Sequence, residues 1–327
     1  MRNRIVLPPM ITFLASKTGE VTEQLVNHYA RRARGPGLVI VEHSYFSKEG
    51  QLTSYGRRRE KVILTQLGIY DDSLVDGLAR LVEAVHKFDT PIAIQINHAG
   101  RRTNSEGIGM QPVAPSPIPA SEDAEIPREL SVEEIGDIVK GFGDAARRAV
   151  AAGFDAVEIH GAHGHLLNQF LSPLANRRTD LYGKDLEGRM RFPLEVVREV
   201  RDVVKDRPLL FRLGADDRMP GGLTLEDGKK IAVKLASEGI DVIDVSGGLC
   251  GHLPSDLKEE GFFVHLAEGI KNVVEIPVIA VGGIVSMDFA DRIIRDGRAD
   301  LVAVGRAMLR DPDWAAKAIA QHSRQSE

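Results

Sequence analysis

The chain is poor in cysteine. It has a single cysteine, Cys250, among 327 residues. One cysteine excludes a disulfide, or a four-cysteine iron–sulfur cluster, formed within this chain. No apolar run approaches the roughly 20 residues that a helix needs to cross a bilayer, and the N-terminus has no apolar core of the kind found in signal peptides. These absences favour a cytoplasmic enzyme that does not contact a membrane.

Neither sign of charge dominates the sequence. Lys and Arg number 42 against 47 Asp and Glu, which gives a formal net charge of −5. The chain therefore lacks the excess of basic residues that marks nucleic-acid-binding proteins. The 43% hydrophobic and 27% charged residues are the proportions of an ordinary globular protein. We expect a small-molecule partner and no nucleic acid, and the sequence leaves open whether the protein forms a homo-oligomer.

Short apolar runs alternate with segments of helical periodicity along the chain. The runs are rich in Val, Ile and Leu, as expected of parallel strands that are buried on both faces. The predicted strands are Arg4–Met10, Gly37–Glu42, Pro91–His98, Ala156–His160, Leu209–Gly214, Val242–Gly247, Pro277–Gly283 and Leu301–Gly305. The predicted helices are Thr22–Arg34, Asp72–Phe88, Ser131–Ala152, Leu186–Lys205, Thr224–Glu238, Phe263–Val273 and Ser286–Asp296.

This alternation predicts a (β/α)8 TIM barrel, an α/β fold, as a single domain over residues 1–327. The alternative is a doubly wound open sheet, which needs a glycine-rich phosphate turn after its first strand. The first strand leads instead into Leu7-Pro8-Pro9-Met10, which favours the barrel. Residues 101–128 are rich in Pro, Ser and Gly. We interpret them as a long loop at the barrel top and not as a domain boundary.

Three histidines follow the fourth predicted strand, where the chemistry of such a barrel is found. His160, His163 and His165 are separated only by small residues, which we interpret as room for a flat ligand near the backbone. Imidazoles supply hydrogen-bond donors, acceptors and groups that titrate near neutral pH. Imidazoles also bind zinc, so a metal-dependent barrel hydrolase is one alternative function. A phosphate-sugar isomerase, which is also a barrel enzyme, is another. The other strand ends carry Gln, Arg and Gly, so we expect no metal.

Those other strand ends predict a bound nucleotide. Gly282-Gly283 and Gly305-Arg306 close the last two strands, where barrels commonly bind phosphate through backbone N–H groups. Gln95 and Arg212 carry an amide and a guanidinium, which suit a polar heteroaromatic ring. A phosphate site at the rim and such a ring at the centre describe flavin mononucleotide, FMN.

These residues belong to a longer set that resembles the Old Yellow Enzyme family of flavin-dependent oxidoreductases. The matching segments are Asn3–Met10, Gln95–Arg101, Glu158–Arg189, Val281–Ile284 and Gly297–Pro312. The most specific is the third, which holds the three histidines and Gln169-Phe170-Leu171-Ser172-Pro173. The resemblance implies a barrel that binds FMN and uses NADH or NADPH to reduce activated C=C bonds.

The resemblance also implies roles for individual residues. His160 and His163 would hold the carbonyl oxygen of an α,β-unsaturated substrate while hydride passes from flavin N5 to its C=C bond. A cyclic acyl-CoA thioester is an alternative substrate, reduced or dehydrogenated by the same cofactor. The residues implied to bind FMN are Pro9, Met10 and Ile11 along the ring, Gln95 and Arg212 at its pyrimidine end, and Gly282, Gly283, Gly305 and Arg306 at its phosphate.

Two positions depart from the family pattern. His165 stands where the family typically has a tyrosine that protonates the substrate. It would replace that phenol, leave the proton to solvent or Tyr45, or act as a base if the reaction runs as a dehydrogenation. His43 stands where relatives carry a small residue beside the flavin, and we predict that it contacts the cofactor or substrate. Larger relatives append an iron–sulfur cluster and a second nucleotide domain, which we do not expect here.

Overall fold

Eight parallel strands close into a barrel in a computed structural model that describes residues 1–53 and 65–325, with side chains described to residue 321. The strands follow one another around the barrel in the order β1-β10-β9-β8-β7-β6-β3-β2. The (β/α)8 prediction is confirmed. The barrel strands are β1 (Ile5–Leu7), β2 (Leu38–Tyr45), β3 (Ile92–Asn97), β6 (Ala156–Gly161), β7 (Leu209–Gly214), β8 (Val242–Ser246), β9 (Val278–Ala280) and β10 (Leu301–Ala303).

Helices surround the barrel, and all seven predicted helices are present with ends shifted by a few residues. The predicted N-terminus at Ser131 is a capping box, in which the Ser131 side chain and Glu134 satisfy each other's backbone N–H groups. The helices are α1 (Glu23–Arg32), α2 (Val75–His86), α3 (Ser105–Ile108), α4 (Val132–Ala151), α5 (Leu166–Leu171), α6 (Leu186–Val204), α7 (Leu225–Ser237), α8 (Val264–Lys271), α9 (Met287–Arg295), α10 (Arg306–Arg310) and α11 (Trp314–Gln325).

The predicted barrel-top loop over residues 101–128 carries structure of its own. It contains α3, and Val113–Ala114 (β4) pairs in parallel with Arg128–Glu129 (β5). Such short elements have no periodicity that a sequence pattern could reveal. The prediction that the whole chain is one domain stays a prediction.

The second strand is longer than predicted and irregular. It continues past Glu42 to Tyr45, and its register against β3 shifts between Val41 and Ser44. A bulge re-aims the side chains around it, and His43 lies inside this one. β1, β9 and β10 are shorter than predicted, with three residues each, so the residues predicted to close them lie in loops.

The barrel interior changes from apolar to polar along the strands. Every second residue of a barrel strand points inward. The lower interior is an apolar cluster of Val6, Leu38, Ile40, Ala93, Ala156, Leu210, Ile279, Leu301 and Ala303. Two residues further along four neighbouring strands stand Gln95, Glu158, Arg212 and Asp244, each at most 4% exposed. Three ionisable groups in one buried layer are costly to fold, which marks this level of the barrel as functional.

Candidate active site

The three predicted histidines lie in and beside a tight turn between β6 and α5. His163 and Gly164 both have positive φ, of 58° and 73°, a left-handed conformation that is uncommon for a residue with a side chain. The turn is held from two sides. The backbone N–H of His163 donates to the Gly247 carbonyl at 3.1 Å, and the Arg102 guanidinium donates to the His163 carbonyl. Strain that the surroundings enforce in this way is typical of functional positions.

Side chains of α5 brace the same turn. Asn168 Oδ1 accepts from the Gly164 N–H at 2.7 Å. Gln169 Nε2 donates to the Gly164 carbonyl at 2.7 Å and to the Ala99 carbonyl at 3.0 Å, beyond the end of β3. Both side chains are fully buried. The short helix therefore fixes the positions of His163 and His165, which explains why the specific motif extends to Gln169.

Gly161 serves packing and does not open space for a ligand. A Cβ at this position would lie 2.3 Å from the Phe211 ring, which occupies that side of β6. Gly164 is required by its backbone conformation, since a Cβ there would meet nothing closer than 3.6 Å. The interpretation of the small residues as room for a flat ligand is wrong for Gly161, and for Gly164 it stays a prediction.

Five imidazole rings gather at this end of the barrel. His160 is the central one, with ring centroids 4.5 Å from His165, 5.2 Å from His163 and 6.0 Å from His43. His252, which was not among the predicted site residues, lies 5.6 Å from His163. The structure thus brings together all three predicted catalytic histidines with His43, which was predicted to contact cofactor or substrate.

These imidazoles are neutral at physiological pH. Burial, reinforced by neighbouring imidazoles and guanidiniums, lowers the pKa of His43 to about 3 and that of His252 to about 4. The same causes hold the pKa of His160, His163 and His165 well below the usual range. The prediction that His165 titrates near neutrality is wrong, because its burial was invisible in the sequence. It can donate a hydrogen bond but carries no readily released proton.

Some ring nitrogens of these histidines have a hydrogen-bond partner and others have none. Gln66 Nε2 donates to His43 Nδ1 at 2.7 Å, so the His43 proton is on Nε2. His163 Nε2 lies 2.7 Å from Ser246 Oγ. In the described parts of the chain, the buried Nδ1 atoms of His160 and His165 have no hydrogen-bond partner. A buried polar atom left unpaired costs about 1–3 kcal/mol, so these nitrogens indicate a missing ligand.

A polar layer lies below the histidines. Gln95 Nε2 donates to Glu158 Oε2 at 2.6 Å, and Arg212 Nε lies 3.4 Å from Asp244 Oδ2. Burial is the largest cause that raises the pKa of both carboxyl groups, that of Glu158 well above its usual value. Gln95 and Arg212 were predicted from the sequence, whereas the two acids were missed. The sequence did contain an indication of them, because each acid interrupts an apolar strand at a position whose side chain points into the barrel.

The two predicted phosphate elements converge at the barrel rim. Gly282 and Gly283 have φ of 122° and 69°, and a Cβ on Gly282 would lie 2.7 Å from the Phe263 backbone nitrogen. A Cβ on Gly283 would lie 3.2 Å from Arg306 Nη2. The Arg306 guanidinium in turn lies 6.0 Å from the centre of the Phe262 ring. Backbone without side chains and one guanidinium therefore meet in a small space.

The segment after β1 reaches the same rim. A Cβ on Gly305 would lie 2.9 Å from Met10 Sδ, so Met10 packs over this glycine. Ile11 packs on Leu52 and Ala99. The Thr12 N–H donates to Glu42 Oε2 at 2.7 Å. This bond ties the end of the Pro9–Ile11 segment to β2.

Glu42 and Tyr45 of β2 have structural partners. Glu42 is fully buried, and burial raises its pKa to about 7. The Tyr45 hydroxyl donates to the Thr18 carbonyl at 3.4 Å, and its ring stacks on Tyr70. Tyr45, considered above as an alternative proton donor, is therefore engaged in packing the β1–α1 loop.

The described residues contain neither a candidate metal cluster nor a candidate membrane-spanning helix. Within residues 1–53 and 65–325, no group of three or more His, Cys, Asp or Glu side chains is arranged to hold a metal ion. Over the same ranges, no helix combines the length and the apolar character needed to span a bilayer.

Curated relatives match the chain over its whole length. Residues 1–326 match the family described as the NADH:flavin oxidoreductase / NADH oxidase family. The chain is 47% identical over 335 residues to an NADH oxidase of Thermoanaerobacter brockii, covering 100% of this chain and 50% of that protein. It is 42% identical over 316 residues to an NADPH dehydrogenase of Clostridium acetobutylicum, covering 95% and 89%.

Solved structures agree. A complex of 2-naphthoyl-CoA reductase with 2-naphthoyl-CoA superposes with a TM-score of 0.89 at 26% identity, covering 98% of this chain and 50% of that one. An Old Yellow Enzyme homologue from Zymomonas mobilis superposes with a TM-score of 0.84 at 27% identity, covering 98% and 89%. The chain thus spans about half the length of the NADH oxidase and of the naphthoyl-CoA reductase. It belongs to the NADH:flavin oxidoreductase / NADH oxidase family, which includes the Old Yellow Enzymes and has FMN as its cofactor.

Proposed function

We propose that the protein is an FMN-dependent reductase that uses NADH or NADPH to reduce a C=C bond conjugated to a carbonyl group. The observation that carries the proposal is the unpaired, buried Nδ1 of His160. It lies beside His163 and above the layer that contains Gln95 and Arg212. Family membership counts against the metal-dependent hydrolase and the phosphate-sugar isomerase.

The residues at the barrel mouth fit FMN. Arg212 Nε is buried, lies 3.4 Å from Asp244 Oδ2 and makes no hydrogen bond within the described structure. The Arg212 guanidinium would face the polar edge of a flavin ring together with Gln95. Gly282 and Gly283 form a cradle that a Cβ would fill. With Gly305 and Arg306 they would hold the phosphate. Pro9, Met10 and Ile11 would lie along the ring, on a segment fixed through Thr12 and Glu42.

The histidines bind and polarise the substrate. FMN, when bound, supplies the hydride chemistry between nicotinamide and substrate. His160 and His163 donate hydrogen bonds to the substrate carbonyl oxygen, where negative charge develops as the C=C bond accepts hydride. Their neutral state suits this role, because an N–H group can stabilise the charge without giving up its proton. Ser246 Oγ lies 2.7 Å from His163 Nε2, and a hydrogen bond donated by its hydroxyl would place the His163 proton on Nδ1, where it can reach the substrate.

The positive charge of Arg212 complements a substrate and cofactor that both gain negative charge during reduction. Arg212 lies on β7 in register with His160. We call His160 and His163 the carbonyl clamp, and the guanidinium therefore occupies the strand next to the one that carries His160. A fixed charge in a water-poor site needs no reorganisation when the reaction occurs. Arg212 therefore stabilises the product side of the hydride transfer.

The proposal is tested by colour and by turnover. The purified protein should be yellow, and anaerobic NADH or NADPH should bleach its flavin band. A cyclic enone such as 2-cyclohexenone should then restore the band and be converted to the saturated ketone. A colourless protein, or a reduced flavin that no enone or enoyl thioester reoxidises, would contradict the proposal.

A cyclic acyl-CoA thioester is the second candidate substrate. The observation that favours it is the structural similarity to 2-naphthoyl-CoA reductase in complex with its thioester. Reoxidation of the reduced flavin by a cyclic enoyl-CoA at least tenfold faster than by 2-cyclohexenone would select this candidate. Location in the cytoplasm and assembly into a homo-oligomer remain predictions.

His165→Phe should keep kcat/KM for 2-cyclohexenone within about threefold. A general acid in the transition state contributes about 10²- to 10⁴-fold, and burial holds the pKa of His165 too low for that role. We therefore expect solvent to protonate the α-carbon, and the rate to be flat between about pH 6 and 8. The measurement is steady-state turnover across that range. A loss of a hundredfold or more, restored in His165→Tyr, would establish His165 as the donor.

A further inference from the structure

We propose that Glu158 and Asp244 share a single proton inside the barrel, so that the pair presents one negative charge to Arg212 and thereby sets the reduction potential of the FMN above it. The inference rests on the proposed FMN site. It concerns two residues that touch neither substrate nor the reacting atoms, which makes them positioning residues for the charge on Arg212.

The geometry brings these groups together at one level of the barrel. Arg212 pairs in register with Asp244 on the next strand, and Glu158 pairs with Gln95 on the strand before. Glu158 and Asp244 are fully buried, and each carboxyl group acts directly on the pKa of the other. The apolar cluster described above closes the barrel below them, so no bulk water reaches the pair from that side.

The rest of the barrel donates too few hydrogen bonds for Glu158 and Asp244 both to be ionised. Gln95 donates to Glu158 Oε2. Across the described ranges, Glu158 Oε1 and both oxygens of Asp244 receive no N–H or O–H donor. A proton on Glu158 that is donated to Asp244 supplies the missing bond. Burial and the facing Asp244 carboxyl both raise the pKa of Glu158, which makes it the residue that holds the proton.

The balance of charge among Glu158, Asp244 and Arg212 favours one proton on the two carboxyl groups over none or two. The groups that act on the pair are Gln95 from β3, which is neutral, and Arg212 from β7, which is the cation. Two ionised carboxyls would place like charges side by side in the barrel interior, where little water screens their repulsion. Two protonated carboxyls would leave the Arg212 guanidinium buried without a counter-ion, which is also unfavourable. One shared proton gives a neutral group of three.

This arrangement predicts an unusual pattern among amide variants. Glu158→Gln leaves Asp244 ionised, and Asp244→Asn leaves Glu158 ionised, so neither single change alters the net charge beneath the flavin. The double variant removes the last negative charge and leaves Arg212 uncompensated. Because flavin reduction adds negative charge, only the double variant should make the potential more positive.

The test is the midpoint potential of bound FMN, measured by anaerobic titration against reference dyes. We expect each single variant to change the ratio of reduced to oxidised flavin at a fixed potential by less than threefold. The double variant should raise that ratio at least tenfold, which is about 30 mV for a two-electron couple. A single variant that raises the ratio tenfold or more would overturn the proposal, because the substituted acid would then have carried a charge that its partner does not replace. A double variant without a shift would also overturn it.

A second readout does not depend on FMN. Infrared spectra of the flavin-free protein at about pH 8, where Glu42 is ionised because its pKa is about 7, should show a protonated carboxyl band that shifts in D2O. We expect the band to disappear in both single variants, and its persistence in either would contradict the shared proton. Asp155→Asn, at the opposite end of β6, controls for net charge, and circular dichroism controls for folding. A wild-type band in protein that binds no FMN would leave the shared proton intact while refuting the flavin site.

Discussion

His160→Ala is expected to lower kcat/KM for 2-cyclohexenone by about 10²- to 10³-fold, the usual cost of removing one donor from a site that stabilises a developing oxyanion. The loss should fall on kcat as well as on KM, because the donated hydrogen bond strengthens as charge moves onto the carbonyl oxygen. His160 lies at the centre of the histidine cluster, and its Nδ1 is buried without a partner in the described structure. The measurement is steady-state kinetics with enone as the varied substrate.

A matched control uses a histidine from the other end of the barrel. His86 ends α2 and pairs with Asp155 at 2.8 Å, so His86→Ala should leave turnover within about twofold. The rate of flavin reduction by NADPH should change less in His160→Ala than its reoxidation by enone does. If His160→Ala retained kcat/KM within threefold of the wild type, the carbonyl clamp would have to be assigned to other residues.

Gly282→Ala is expected to lower the affinity for FMN at least tenfold, equivalent to about 1.4 kcal/mol. The glycine has a φ of 122°, a conformation that is closed to side chains. Its new methyl group would also lie 2.7 Å from the Phe263 backbone nitrogen. Because the backbone at Phe263 cannot rotate away as a side chain can, the barrel rim must shift at the point where we place the phosphate. Titration of flavin-free protein with FMN, followed by fluorescence quenching, measures the loss.

Gly297→Ala provides the comparison for this variant. Gly297 also has a positive φ, of 69°, but a Cβ there would meet no atom within 4 Å. The two variants share backbone strain and differ in whether the rim must move. We expect Gly297→Ala to lower thermal stability while leaving FMN affinity within twofold. Equal losses of FMN affinity in both variants would show that general destabilisation is responsible and would remove the support for a phosphate site at Gly282.

The sequence by itself determined the barrel and most of its polar mouth. Continuous apolar strands that are buried on both faces and alternate with amphipathic helices have few other solutions in a chain of this length. The chemistry of parallel barrels lies at the carboxyl ends of strands, so Gln95, Arg212 and the three histidines could be found by reading those ends alone. The glycines and Arg306 at the rim were found in the same way. The local sequence pattern is sufficient to predict these site residues, because the carboxyl ends of neighbouring parallel strands lie at the same end of the barrel.

Tertiary structure decided the protonation states and the partners. A sequence shows that His165 is a histidine, but its pKa depends on how much water and how many neighbouring cations surround it. Those neighbours come from distant parts of the chain. The fold alone also revealed that His252 joins the cluster, that Gly161 makes room for Phe211, and that Glu158 on β6 lies beside Asp244 on β8, two strands away. These are properties of distances between strands, which no single segment encodes.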